Sequence, residues 1–226
     1  MEKIEELRKN LDEVIWNIEQ ARISVSEHHI VKLVAVGKYS DEKSIEMLYR
    51  LGQRAFGENQ VQQLQKRMES LEELPLEWHM IGTLQSNKIN KLVELRPTLF
   101  QSLDSLKLAE ALNQRLAQKE QTMSCLLQIN SANEESKSGV SSEEATDIYA
   151  QIIESYPQIK LKGIMSIGAH TQEQKVIQKS FETSYKIYNS LEKYNPTICS
   201  MGMSSDYELA IKCGSNLLRV GSKIFV

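Results

Sequence analysis

Lys38 closes an apolar run. In KLVAVGKYS, residues 32–40, Leu33, Val34, Ala35 and Val36 follow one another without polar alternation and Gly37 comes next, the pattern of a short strand buried on both faces. The lysine then falls at the strand's carboxyl end. Ser40, with Asp41 and Glu42 behind it, reads as the N-cap and first-turn acids of the next helix. An amine in a strand-to-helix loop stands where α/β folds keep their chemistry. By itself the same stretch also reads as a solvated surface lysine in a loop.

Other residues of chemical interest recur at the ends of similar apolar runs. They are Asn59, His79 with Gly82, Asp104, Asn130, Met165 and Ser166 with Gly168, Ser200 to Ser204, and Arg219 to Ser222. The last two groups, SMGMSS and RVGS, are rich in glycine and small hydroxyls, the composition of a phosphate-binding loop pair in a barrel. An amine facing such a cradle would hold a phosphorylated carbonyl compound as a Schiff base. Pyridoxal phosphate and a sugar phosphate both satisfy that description. His79 alone fits a core histidine with one bonded nitrogen, and Lys137, in ESKSG, fits an exposed loop lysine. No HExxH pair, EF-hand loop or GxSxG elbow is present, so metal-dependent and serine-hydrolase chemistry find no motif.

Eight strands are expected to carry these residues: Leu33–Val36, Arg54–Gly57, Trp78–Gly82, Thr98–Gln101, Met123–Ile129, Leu161–Ile167, Thr197–Met201 and Leu217–Val220. Between them lie segments with apolar residues at helical spacing, such as Val61, Leu64, Met68 and Leu71. Ser86, Ser105 or Asp104, Ser141 with Glu144, Thr171 with Gln174, and Ser205 with Glu208 are the expected helix-start signals. Eight strands alternating with seven helices over 226 residues predict a single (β/α)8 barrel, in which all strand ends open on one face. A doubly wound sheet is the alternative, and no GxGxxG follows the first strand. One domain spanning 1–226 is expected, with an amphipathic helix in 1–27 that carries Ile4, Leu7, Leu11, Val14, Ile15 and Ile18.

The net charge of −3, with both signs interspersed, leaves no basic stripe to follow a nucleic acid backbone. Nothing approaches the ~18 apolar residues of a membrane span. Cys125, Cys199 and Cys213 are odd in number and lack metal or CxxC spacing, so they read as reduced structural thiols of a cytoplasmic protein.

The segments LVAVGK, FGENQVQQ, WHMIGTLQSNK, SLDS, LLQINSANEESKSG, GIMSIG, SMGMSSDYELAI and LLRVGSKIF resemble the pyridoxal phosphate homeostasis protein family, small cofactor-binding proteins related to the barrel domain of bacterial alanine racemase. The likeness runs in order from about residue 31 to the end. It implies an alanine-racemase-type barrel without the C-terminal β-domain, Lys38 as the Schiff-base lysine, Arg219 near the pyridine nitrogen, and Ser200, Gly221 and Ser222 around the phosphate. With the strand-end residues, the expected cofactor-binding set is Lys38, Asn59, His79, Met165, Ser166, Ser200, Arg219, Gly221 and Ser222. Expected partners are pyridoxal phosphate and apoenzymes that use it, with a monomer favoured. An arginine at the ring nitrogen would keep that nitrogen unprotonated and the ring a weak electron sink. With no second β-domain expected to supply an acid/base group on the opposite face, the expected role is binding and exchange; a stand-alone racemase or lyase is the alternative. The sequence departs from the family pattern at Gly37, where serine is usual, at Thr83, and at Val226 after Phe225.

Overall fold

The computed structural model describes residues 2–38, 40–134 and 137–226. Tyr39 of KLVAVGKYS and Glu135 and Ser136 of SANEESKSG lie outside the described residues. The strands are β1 (Lys32–Val36), β2 (Ala55–Glu58), β3 (Glu77–Met80), β4 (Leu99–Leu103), β5 (Met123–Asn130), β6 (Val140–Ser141), β7 (Ile159–Ser166), β8 (Ile198–Ser200) and β9 (Leu217–Val220). All pairings are parallel. β1 lies between β2 and β9, and β4 pairs with β5, which closes the eight long strands into a ring. The two-residue β6 adds to β5 outside that ring.

Helices α1 (Glu2–Val25), α2 (Glu42–Arg50), α3 (Val61–Ser70), α4 (Ile89–Leu95), α5 (Leu106–Gln118), α6 (Ala145–Ser155), α7 (Gln174–Ser190), α8 (Tyr207–Lys212) and α9 (Ser222–Phe225) surround it. Helices around the ring turn apolar stripes inward, as α5 does with Leu108, Ala109, Leu112 and Leu116. Helix α1 buries Leu7, Leu11, Val14, Ile18 and Ala21 against the α8, α9 and α2 side of the barrel. No helix among the described residues is long and apolar enough to cross a membrane.

Inside the ring, alternation along the strands separates two kinds of residue. Val34, Ala55, Leu99, Leu126, Met165 and Leu217 form an apolar plug. Between them runs a polar row, His79, Gln101, Ser200 and Arg219, all buried. At Gly163 in β7 the pairing with β5 skips a residue. A side chain there would meet the Ile198 carbonyl oxygen at 1.8 Å and φ is +144°, so the bulge that brings β7 against β8 is open only to glycine.

Several helix starts differ from those expected, because a side chain caps only when its residue stands at the last non-helical position. Asp41, not Ser40, caps α2 and accepts from the Ser44 amide at 2.8 Å. Ser105 caps α5 as expected. Ser141 and Glu144 bond each other, yet α6 begins one turn later, at Ala145. Ser86 opens a short 3-10 turn, and neither Thr171 nor Ser205 caps its helix.

Candidate functional site

The carboxyl ends of the strands enclose a cavity of about 450 Å³, large enough for a drug-sized ligand or cofactor. Lys38 reaches it from the end of β1 and Asn59 from the end of β2. Met165 and Arg219 come from β7 and β9, and Gly221 and Ser222 from the loop after β9. The wall is completed by Val36, Ile81, Ile167, Met203, Ser204, Ser205, Phe225 and Val226. The apolar members were not legible as site residues, because hydrophobic residues at strand ends look like core.

Arg219 sits at the base of this cavity and is 5% exposed. Its guanidinium donates to the Ser200 hydroxyl and, at 2.8 Å, to the Ser166 carbonyl oxygen. Burial pushes it down to about 10, with the Asp206 carboxylate pulling the other way; it remains a cation at neutral pH. Asp206 is itself raised by burial, and its Oδ1 accepts from the Met203 amide at 2.7 Å.

Three of the expected residues lie beneath the cavity and do not line it. Ser200 Oγ donates to Gln101 Oε1 at 2.7 Å, and the Gln101 amide faces His79 Nδ1 at 2.9 Å. Ser166 offers Arg219 its backbone carbonyl, while its hydroxyl accepts from Ser184 at 2.8 Å. These residues orient the guanidinium; they do not reach the space above it. Gln101, the link between His79 and Ser200, lacks any motif in the sequence. Lys137 donates to Glu134 and to the Gly168 carbonyl oxygen.

His79 Nε2 has no hydrogen-bond partner. Burial, reinforced by the nearby Lys32 ammonium, holds its imidazole down to about 4. The ring is therefore neutral in the fold and gains a proton in the unfolded chain below its ordinary value of about 6.5. A folded value below the unfolded one gives stability that is complete above about 6.5 and is lost as pH falls through about 4. Urea unfolding near pH 7 and about pH 4.5 should show a loss about 2 kcal/mol larger in the wild type than in His79→Gln. Equal losses in the two proteins would remove His79 from the acid response.

The loops after β8 and β9 are joined, since Gly221 N–H donates to Ser204 Oγ at 3.1 Å. A Cβ on Gly221 would stand 2.9 Å from the Val36 carbonyl oxygen, so this loop packs directly on the strand that ends at Lys38. Amine, guanidinium and hydroxyl wall are thereby held in one cavity. Among the described residues, no cluster of three or more histidine, cysteine or carboxylate side chains could hold a metal ion. Cys125 and Cys199 are buried, which pushes both thiols far up.

An eight-stranded parallel barrel ringed by helices is the fold that solved alanine racemases share with this chain. The family described as alanine racemase, N-terminal domain, matches residues 9–226. A solved alanine racemase of Clostridium difficile 630 superposes with a TM-score of 0.78 at 15% identity, covering 97% of this chain and 59% of that one; at that identity the likeness concerns the fold. The pyridoxal phosphate homeostasis protein of Helicobacter pylori (strain ATCC 700392 / 26695) is 55% identical over 218 residues, 96% of this chain and 97% of that protein. PipY of Synechococcus elongatus PCC7942, solved with PLP (pyridoxal phosphate) bound, is 30% identical with a TM-score of 0.78, covering 92% of this chain and all of that one. The chain belongs to the alanine racemase N-terminal domain family and, within it, to the pyridoxal phosphate homeostasis proteins.

Proposed function

We propose that this chain binds pyridoxal phosphate in the cavity at the strand ends, holds it through Lys38, and releases it by exchange. The observation that carries the reading is the convergence of Lys38, Arg219, Ser204, Gly221 and Ser222 on one cavity with apolar Ile81, Met165, Ile167 and Met203 between them. That donor set fits the group: an amine for the aldehyde, hydroxyls and a glycine loop for the phosphate, and apolar side chains for the flat ring. The bound cofactor would supply an electrophilic aldehyde conjugated to a pyridine ring. Lys38 would be the amine that holds that aldehyde covalently. Arg219, a cation fixed by Ser200 and the Ser166 carbonyl, would donate to the ring nitrogen and disfavour a proton on it. Ser204, Ser205 and Ser222 would hold the phosphate. His79 and Ser200 act below it, through Gln101 and Arg219.

The role is storage and transfer, without amino-acid catalysis of its own. Among its described residues, the cavity wall presents no aspartate, glutamate, histidine, tyrosine or cysteine side chain opposite Lys38, and racemisation needs a second acid/base group there. The barrel over 1–226, with its helix in 1–27, works as a single cytoplasmic binding domain, monomeric, with pyridoxal-phosphate-dependent apoenzymes as recipients.

One experiment covers both halves of the reading. Protein mixed with pyridoxal phosphate should turn yellow, and borohydride should fix the cofactor to the chain. Incubation with single amino acids in deuterated water should give no α-proton exchange at an enzyme's pace, on the order of 1 per second. A colourless mixture would overturn the binding assignment. Fast exchange would replace storage with a racemase or lyase.

A further inference from the structure

The stretch that ends in Lys38 is held by a cation that neither composition nor helical pattern points to. Arg67 of α3 is fully buried, and its charge is met by the equally buried Glu58 at the end of β2. Burial pushes the Glu58 carboxyl up, against the pull of the guanidinium, and the nearby Glu42 adds to the rise. Charges taken out of water persist only where every polar atom is satisfied.

Here they are satisfied by one loop. Arg67 Nη2 donates at 2.7 Å to the Gly37 carbonyl oxygen and at 2.7 Å to that of Ser40. Nη1 meets Glu58 and, at 3.4 Å, the Ser40 hydroxyl. Gln63, with its amide oxygen turned inward, accepts from Nε at 3.0 Å. The Ser40 N–H also bonds the Gly37 oxygen at 2.9 Å, and the Gly37 N–H bonds the Gly57 oxygen at 3.2 Å. The two carbonyls gripped by one nitrogen are those that bracket Lys38.

We propose that the buried Arg67–Glu58 pair is the positioning device of the Lys38 loop, a clamp that fixes the backbone on both sides of the lysine and so sets where its amine enters the cavity. The clamp also accounts for Gly37. A Cβ at that position would lie 2.0 Å from Arg67 Nη1 and 2.8 Å from Glu58 Oε1, so a side chain at 37 and the guanidinium cannot occupy the same space. Lysine in place of arginine offers one nitrogen where the guanidinium uses three, Nη2 on the two carbonyls, Nη1 on Glu58 and Nε on Gln63, so it cannot hold all of these partners at once. The inference rests on the reading of Lys38 as the covalent anchor, and Arg67 itself does not touch the cofactor.

The test uses the full-length protein titrated with pyridoxal phosphate, and reads affinity from the cofactor band and attachment rate from borohydride-fixed cofactor against time. In Arg67→Met, compared at a temperature where the cofactor-free protein is folded, both should fall at least about tenfold, the scale expected when a reacting group is misplaced by a fraction of an ångström or more. Gly37→Ser should move both in the same direction, and Arg67→Lys should recover part of the loss. A merely structural pair would lower the melting temperature and leave affinity and rate of the folded protein unchanged; that result for Arg67→Met overturns the proposal. If Arg67→Met does not melt cooperatively, Glu58→Gln, which keeps the shape and an acceptor but removes the charge that anchors the guanidinium, takes its place, and wild-type affinity and rate there overturn it equally. A wild-type protein that fixes no cofactor sinks the binding assignment itself, a different outcome from wild-type behaviour in the variants.

Discussion

Lys38→Ala is expected to lose every trace of borohydride-fixed cofactor while keeping the fold. Lys38 is an exposed loop residue, outside the hydrophobic core, so its truncation should change unfolding free energy by no more than about 0.5 kcal/mol. The cavity's other contacts remain: Arg219 below, and Ser204, Ser205, Gly221 and Ser222 on the wall. Residual non-covalent binding should persist, weaker by on the order of a hundredfold, equivalent to about 2.7 kcal/mol. Mass spectrometry after borohydride reduction reads the covalent arm directly. Lys32→Ala is the matched control, since Lys32 lies at the opposite end of the same strand, paired with Glu77, and should behave as wild type. Covalent cofactor surviving in Lys38→Ala would assign the anchor to another amine.

The strands were legible because a barrel repeats one unit. Apolar runs of four to eight residues ending in glycine or polar loops mark β1, β5, β7 and β9, and eight such runs admit few other closures. The helix starts were less legible. A serine or threonine three residues before a glutamate or glutamine satisfies the capping pattern wherever the helix starts, and the Ser141–Glu144 pair forms its bonds in the turn before α6, which starts only at Ala145.

Within the candidate site, the split follows chemistry. Polar and small residues at strand ends, such as Lys38, Asn59, Arg219, Gly221 and Ser222, stand out from an apolar run, and all of them line the cavity. His79, Ser166 and Ser200 stand out equally and lie one layer lower. A shift of one residue along a strand decides between the barrel's interior and its helix-facing side, and the height of a layer follows from strand stagger, which a sequence does not print. Arg67 was hidden for a different reason. On a helix a lone arginine belongs by default to the solvated face, and α3 displays Gln62, Lys66 and Glu69 there. Its partner Glu58 is nine residues away but in another element, and charge pairing across elements leaves no periodic signal. Only the space missing at Gly37 betrays it.

The largest combined loss of stability and binding is expected at Arg219. In Arg219→Glu a carboxylate replaces a guanidinium in a site closed by Ser200, the Ser166 carbonyl and the Asp206 carboxylate, which faces it electrostatically. The Ser166 oxygen loses its donor and meets another acceptor, and Asp206 loses the cation that stabilises its charge. Breaking a buried charge arrangement from one side costs about 3–5 kcal/mol, so the midpoint of urea unfolding should drop accordingly. The introduced carboxyl should itself titrate high, because burial and the neighbouring Asp206 both disfavour its charge. Lowering the pH toward 5 should therefore restore part of the stability of Arg219→Glu relative to the wild type, the sign expected for an acid whose folded value lies above its unfolded one. The cofactor band gives the second readout. A carboxyl in place of a permanent donor would favour a proton on the ring nitrogen, shift the absorption to longer wavelength and weaken binding by at least about tenfold. A spectrum and affinity indistinguishable from wild type would place the ring nitrogen away from Arg219, while an unchanged unfolding midpoint would contradict the burial of the guanidinium between β7, β8 and β9.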